Sequence, residues 1–194
     1  MTTADTVWIF GYGSLIWKAD FAFLERRPAR VHGWARRFWQ GSHDHRGTPE
    51  APGRVVTLIG EPGAVCAGMA YRITHDVFEH LDHREKNGYE RVPIVIEFDA
   101  PGFEDGAAIH GLVYIADPGN HAYLGPAHES EIAAHILRSV GPSGPNCEYL
   151  LHLAQALREL GADDPHVFEI ERRLLALGAH RNPQADEPLT RPGA

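Results

Sequence analysis

The residues most able to do chemistry begin at Gly11-Tyr12-Gly13-Ser14-Leu15, directly after the apolar run Val7-Trp8-Ile9-Phe10. Two glycines so placed let backbone N–H groups approach a ligand, and successive N–H groups in such a turn form an anion-binding concavity. The same residues also serve as a plain tight turn, so the turn alone leaves both readings open. It is not a dinucleotide fingerprint, because Ile16 stands where the third glycine belongs. The second candidate is Glu85. Val77, Phe78 and Leu81 mark the apolar stripe of a short helix, and Glu85 follows Leu81 by four positions and Val77 by eight. That spacing turns Glu85 inward at the helix C-terminus. Desolvation and the helix dipole would both raise its pKa toward the range useful for proton transfer. An outward Glu85 paired with Arg84, Arg72 or Lys86 is the alternative.

Other chemistries find less support. Of the thirteen histidines, His43-Asp44-His45 and His80-Leu81-Asp82-His83 are the densest groups, and neither they nor His128-Glu129-Ser130-Glu131 make a HExxH pattern. Ser14 lies on the glycine turn, but there is no GxSxG elbow and no histidine is sequence-locked to it. Cys66 and Cys147 are isolated, form no CxxC pair and read as inert, although Cys147 at a helix start could have a lowered pKa.

The elements that must position these groups follow from periodicity and turn residues. Strands are expected before Gly11, over Arg30 to Gln40 with a break at Gly33, over Arg54 to Gly60, Val65 to Ile73, Tyr89 to Phe98 and Ala107 to Ala116. Pro93 makes the Tyr89 to Phe98 strand an edge or a bulge. Gly41 to Gly53 reads as a long polar surface loop. A short helix capped by Thr74 runs to about Lys86 and stops at Asn87-Gly88. Helices follow at Ala127 to Val140, Asn146 to Leu160 and Pro165 to Leu177, the second carrying the stripe Leu150, Leu153, Ala154, Leu157 and Leu160. Strands early and helices late give an α+β class: a small mixed β-barrel with flanking helices concentrated in the C-terminal third. One domain over 5–180 is expected, with a flexible tail over 181–194.

Composition narrows the partners. The 194 residues carry 18 basic and 26 acidic side chains, a net charge of −8, which lacks the basic face a duplex binder needs. The cluster Arg26, Arg27, Arg30, Arg36 and Arg37 reads as a solvated strand edge or an ion-pair network. No apolar run is long enough to span a membrane, the first residues show no secretory signal, and a reducing cytoplasm is the expected compartment.

Several blocks in order resemble the ChaC-type, glutathione-specific γ-glutamylcyclotransferases. They are Phe10-Gly11-Tyr12-Gly13-Ser14-Leu15-Ile16-Trp17-Lys18, Arg36-Arg37-Phe38-Trp39-Gln40-Gly41-Ser42 through Asp44-His45-Arg46-Gly47, and Pro52-Gly53-Arg54-Val55-Val56-Thr57-Leu58. Arg84-Glu85-Lys86 with Gly88-Tyr89, Tyr123-Leu124-Gly125-Pro126, and Gly141-Pro142-Ser143-Gly144 with Glu148-Tyr149-Leu150 complete the set. The resemblance implies cleavage of glutathione to 5-oxoproline and cysteinylglycine without cofactor or metal. It places Glu85 as the catalytic glutamate and Ile9, Phe10, Gly11, Tyr12, Gly13, Ser14 and Leu15 around the γ-glutamyl group, with Tyr123 bordering the substrate. Asn87, where the family often has glycine, is a departure of little consequence because asparagine tolerates the left-handed conformation.

The α-amine must attack its own γ-carbonyl, and a glutamate that takes and returns a proton serves that reaction. The Gly41 to Arg54 loop, with Arg46 and Arg54, is the candidate lid over the cysteinylglycine end. Cyclisation of other γ-glutamyl amides, a catalytically silent γ-glutamyl-binding module and a metal-dependent hydrolase are the alternatives.

Overall fold

A computed structural model describes residues 6–84, 88–98 and 108–180. Five strands close into a barrel: β1 (Thr6–Gly11), β2 (Glu25–Ser42), β3 (Gly53–Thr74), β4 (Tyr89–Phe98) and β5 (Ala108–Ala116). Their order around the barrel is β1-β3-β2-β4-β5. All neighbours are antiparallel except β1 and β5, which close it through the parallel pairs Ile9–Leu112 and Phe10–Val113. Helix α1 (Val77–Arg84) joins β3 to β4. Helices α2 (Glu129–Arg138), α3 (Asn146–Glu159) and α4 (Pro165–His180) follow the barrel, with a small hairpin of β6 (Val140–Gly141) and β7 (Gly144–Pro145) between α2 and α3. The expected mixed barrel with late helices is therefore the observed architecture.

The β2–β3 hairpin is its longest part, and it bends where the register breaks. His32 pairs with Val65 but Trp34 pairs with Gly60, so Glu61 to Ala64 bulge out opposite Gly33. Gly33 and Gly63 both take positive φ there, a conformation that side-chain-bearing residues resist. The two expected segments Arg54 to Gly60 and Val65 to Ile73 are thus halves of one bent strand. Pro93 is tolerated because β4 meets β2 only at Ala29–Phe98 and Arg30–Glu97, leaving that side of β4 unpaired along Pro93. Thr74 does not cap α1: it is the last residue of β3, and the helix begins at Val77. The flexible tail expected over 181–194 falls outside the described residues.

Both faces of β1 are buried. Phe10 enters the larger core cluster with Val31, Ile96 and Val113, while Ile9 enters a smaller one with Tyr71, Ile73 and the α1 residues Val77, Phe78 and Leu81. The α3 stripe packs as its spacing requires: Leu150, Leu153, Ala154 and Leu157 are fully buried, each leucine contributing about 1.5–3 kcal/mol. Asn146 starts α3 and stitches it to the barrel. Its Oδ1 accepts from Arg54 N at 2.7 Å and its Nδ2 donates to Arg54 O at 2.9 Å. Three of the β2 arginines are ion-paired: Arg27 with Glu25, Arg30 with Glu97 and Arg37 with Glu61. Among the described residues no helix is long and apolar enough to cross a membrane.

A buried histidine fastens α4 to β2. His166 Nε2 accepts from Phe38 N at 3.1 Å, and Nδ1 faces Glu129 Oε1 at 3.1 Å. Only the neutral ring with its proton on Nδ1 satisfies both partners. Burial, reinforced by Arg37, holds the ring below its ordinary 6.5, although Glu129 and Asp164 pull the other way. His135 is lowered in the same sense, chiefly by burial. The unfolded chain therefore binds more protons below that pH, and this contribution to stability is present above it and lost as the pH falls. The urea midpoint should be lower at about pH 5.5 than at about pH 7.5, and His166→Gln should shrink the difference.

Candidate active site

The glycine turn opens onto a cleft of about 240 Å³. Its wall runs from Phe10 through Leu15 to Trp17, Lys18 and Asp20, then crosses to Gly41, Ser42, Asp44, His45 and Arg46. Val55, Val56, Tyr89, Tyr114, Ser143 and Tyr149 complete it. The chain reverses tightly after β1: Ile16 N donates to Gly13 O at 3.0 Å and Lys18 N to Ser14 O at 2.8 Å, closing a single turn of 3-10 helix over Ser14–Ile16.

The turn is held from several sides. The fully buried Arg36 donates from Nε to Tyr12 O at 2.7 Å. The same guanidinium donates to Ala67 O and pairs with Asp164 at 2.6 Å. Tyr71 Oη donates to Leu15 O at 2.5 Å. Tyr12 Oη donates to Tyr114 O at 2.7 Å and Tyr89 Oη to Val56 O at 2.8 Å. Tyr114 Oη reaches Asp82 Oδ1 on α1 at 2.6 Å. The aromatic walls are thereby fixed by their own hydroxyls.

Of the site residues expected from sequence, Phe10, Gly11, Tyr12, Gly13, Ser14 and Leu15 border the cleft together. Ile9 does not: strand alternation sends its side chain into the smaller core cluster, opposite to Phe10. Tyr123 is also outside the lining. It bridges to Gln40 through the backbone and is half-buried, with its hydroxyl pKa pushed up by burial. Glu85 lies outside the described residues, next in sequence after Arg84.

The loop between β2 and β3 divides its two arginines. Arg54 is buried in the barrel wall, donating to Phe38 O at 2.9 Å and Gly125 O at 3.2 Å, and it does not line the cleft. Burial pushes its pKa down. Arg46 does line the cleft and donates to Pro145 O at 2.9 Å, with Glu148 at 3.1 Å. The loop is stitched to the β6–β7 hairpin by Ser143 N donating to His45 O at 2.9 Å. His43 meets His121 edge-on rather than a ligand set, and among the described residues no three His, Cys, Asp or Glu side chains converge as metal ligands.

Sequence reasoning missed the tyrosines. Tyr89, Tyr114 and Tyr149 come from β4, β5 and α3, and no local period announces their convergence. The available trace was that Tyr89 and Tyr149 sit inside blocks shared with a known family. Gly13 has a clear steric reason. A Cβ there would stand 2.8 Å from Tyr149 Oη and 3.1 Å from Val56 Cγ2. Gly13→Ala should lower kcat/KM for the glutathione cleavage that the resemblance implies at least about tenfold, with the melting temperature within a few degrees of native. Steady-state kinetics and a thermal melt check both.

The comparisons agree with this geometry. Residues 7–176 match the family model described as ChaC-like protein. The chain is 44% identical over 176 residues to Gamma-glutamylcyclotransferase 2-3 of Arabidopsis thaliana, covering 87% of this chain and 88% of that protein. It is 44% identical over 180 residues to Glutathione-specific gamma-glutamylcyclotransferase 1 of Danio rerio, covering 89% and 90%. A crystal structure of the yeast γ-glutamyl cyclotransferase specific to glutathione superposes with a TM-score of 0.82 at 31% identity, over 88% of this chain and 96% of that one. The chain belongs to the ChaC-like protein family.

Proposed function

We propose that this protein cleaves glutathione into 5-oxoproline and cysteinylglycine, as a glutathione-specific γ-glutamylcyclotransferase. The observation that carries the reading is the cleft itself. The Phe10–Leu15 turn, rigid tyrosine walls and a cationic Arg46 face one space, in a chain that shares its family with enzymes of that name.

The chemistry is an intramolecular transfer. The α-nitrogen of the γ-glutamyl residue attacks the γ-carbonyl carbon, a five-membered lactam forms and the bond to the cysteinyl nitrogen breaks. Starting from the ammonium, two protons leave the α-nitrogen and two arrive on the cysteinyl nitrogen, so no water is consumed. Because nucleophile and electrophile belong to one molecule, holding the substrate folded supplies a large part of the acceleration. Glu85 takes a proton from the ammonium to free the attacking lone pair and delivers one to the departing nitrogen. Backbone N–H groups of the Gly11 to Leu15 turn hold the substrate carboxylate or the oxyanion that develops on the γ-carbonyl. Ile9 supports that turn from the core, and Tyr123 backs the Gly41 edge of the cleft from outside the lining, through its bridge to Gln40. Arg46 matches the glycyl carboxylate at the far end.

Glu85→Gln tests the reading. The native protein should release 5-oxoproline and cysteinylglycine in equal amounts, and the variant should lose at least about a hundredfold in kcat while still binding glutathione. A variant within a few-fold of native would remove Glu85 from the mechanism. Folded native protein that releases neither product would remove the activity.

A further inference from the structure

The glycine turn is held by a charge pair that lies outside the cleft and that the mechanism above does not use. Neither Arg36 nor Asp164 is part of the lining. Arg36 Nε donates at 2.7 Å to Tyr12 O, the carbonyl directly before Gly13. Its Nη2 donates to Ala67 O and, at 3.4 Å, to Cys66 Sγ. Its Nη1 donates to Asp164 Oδ2 at 2.6 Å. Among the described residues Asp164 is the one carboxylate bonded to this guanidinium. Asp164 also works in the other direction, toward α4. Its Oδ1 accepts from Val167 N at 3.1 Å and its backbone oxygen from Phe168 N at 3.1 Å, so it caps that helix.

We propose that Asp164 is a positioning residue for the reaction: its charge holds the Arg36 guanidinium where Nε fixes Tyr12 O, and so sets the turn against the substrate. The inference rests on the glutathione reading given above and adds a distant residue to it. Arginine does not lose its proton on burial. A guanidinium at 2% exposure that loses its counter-ion must seek other acceptors or water. Tyr12 O is bonded to that same group, so the turn is displaced with it. The N–H groups of Gly11 to Leu15 serve the reaction only while correctly placed, because a displacement of about 1 Å costs about a hundredfold in rate. A plain helix cap at Asp164 would have no such effect on the cleft.

Two substitutions set the charge against the cap. Asp164→Asn keeps one of the best capping side chains and removes the charge, whereas Asp164→Glu keeps the charge and gives up a favoured cap. Both are assayed with glutathione at a temperature where far-UV circular dichroism shows native helix content. Asp164→Asn should lower kcat/KM about tenfold or more, and Asp164→Glu should lie nearer to native. A role confined to capping α4 predicts the reverse order. Ile170→Ala is the stability control, since Ile170 is fully buried on α4 and lies outside the lining. It should lower the melting temperature yet leave kcat/KM within about threefold of native. An Asp164→Asn protein within threefold of native, the reverse order, or an Ile170→Ala protein as impaired as Asp164→Asn would overturn the proposal. Failure of both Asp164 variants to fold would also overturn it, making the pair purely structural. A native protein that turns over no glutathione would instead remove the underlying reading, and that result is visible before any variant is made.

Discussion

A single buried guanidinium organises this molecule. Arg36 is 2% exposed, and it joins Tyr12 O of the glycine turn, Ala67 O and Cys66 Sγ of β3, and Asp164 in the connection between α3 and α4. Taking such a charge out of water is costly and is sustained only where partners occupy most of its donors. Here the partners come from opposite ends of the chain. The position of the turn is therefore coupled to the packing of the C-terminal helices against the barrel. The thiol of Cys66, buried in the same place, is pushed up in pKa chiefly by that burial, which keeps it protonated and unreactive.

What is built on that anchor suits a reaction whose difficulty is geometric. A substrate that attacks itself needs to be folded and held, with a proton moved at the right moment, more than it needs a powerful external nucleophile. The walls around the turn are correspondingly stiff. Tyr12 and Tyr89 spend their hydroxyls on backbone carbonyls, and Tyr114 ties the wall to Asp82 of α1, the helix that leads into Glu85. The loop carrying Asp44 and Arg46 also lines the cleft and is pinned to the β6–β7 hairpin. The cleft thus combines tyrosines with charged side chains from both the loop, Asp44 and Arg46, and the segment after the turn, Lys18 and Asp20.

Much of this was legible locally. The strand-glycine-turn of Val7 to Leu15, the edge character imposed by Pro93 and the apolar stripe of α3 each follow from residues within a few positions of one another. Closure of the barrel was not legible in that way, because it depends on two parallel pairs between strands about a hundred positions apart. The arginines of the loop show the same limit. Arg46 and Arg54 look alike in sequence, yet Phe38 O and Gly125 O capture Arg54 inside the wall and only Arg46 faces the cleft. The resemblance groups Ile9 with the turn that follows it, and strand alternation turns its side chain away from that of Phe10 and into the cluster that also holds Leu15. Family resemblance supplied Glu85, and residue spacing alone left its direction open.

The central claim is that the γ-glutamyl amine, rather than water, attacks the γ-carbonyl. Turnover of glutathione in water enriched in oxygen-18, read by mass spectrometry of the released γ-glutamyl product, tests it directly. The account predicts 5-oxoproline carrying no solvent oxygen, formed in step with cysteinylglycine. Glutamate carrying one heavy oxygen in its γ-carboxylate would contradict it and make the protein a hydrolase.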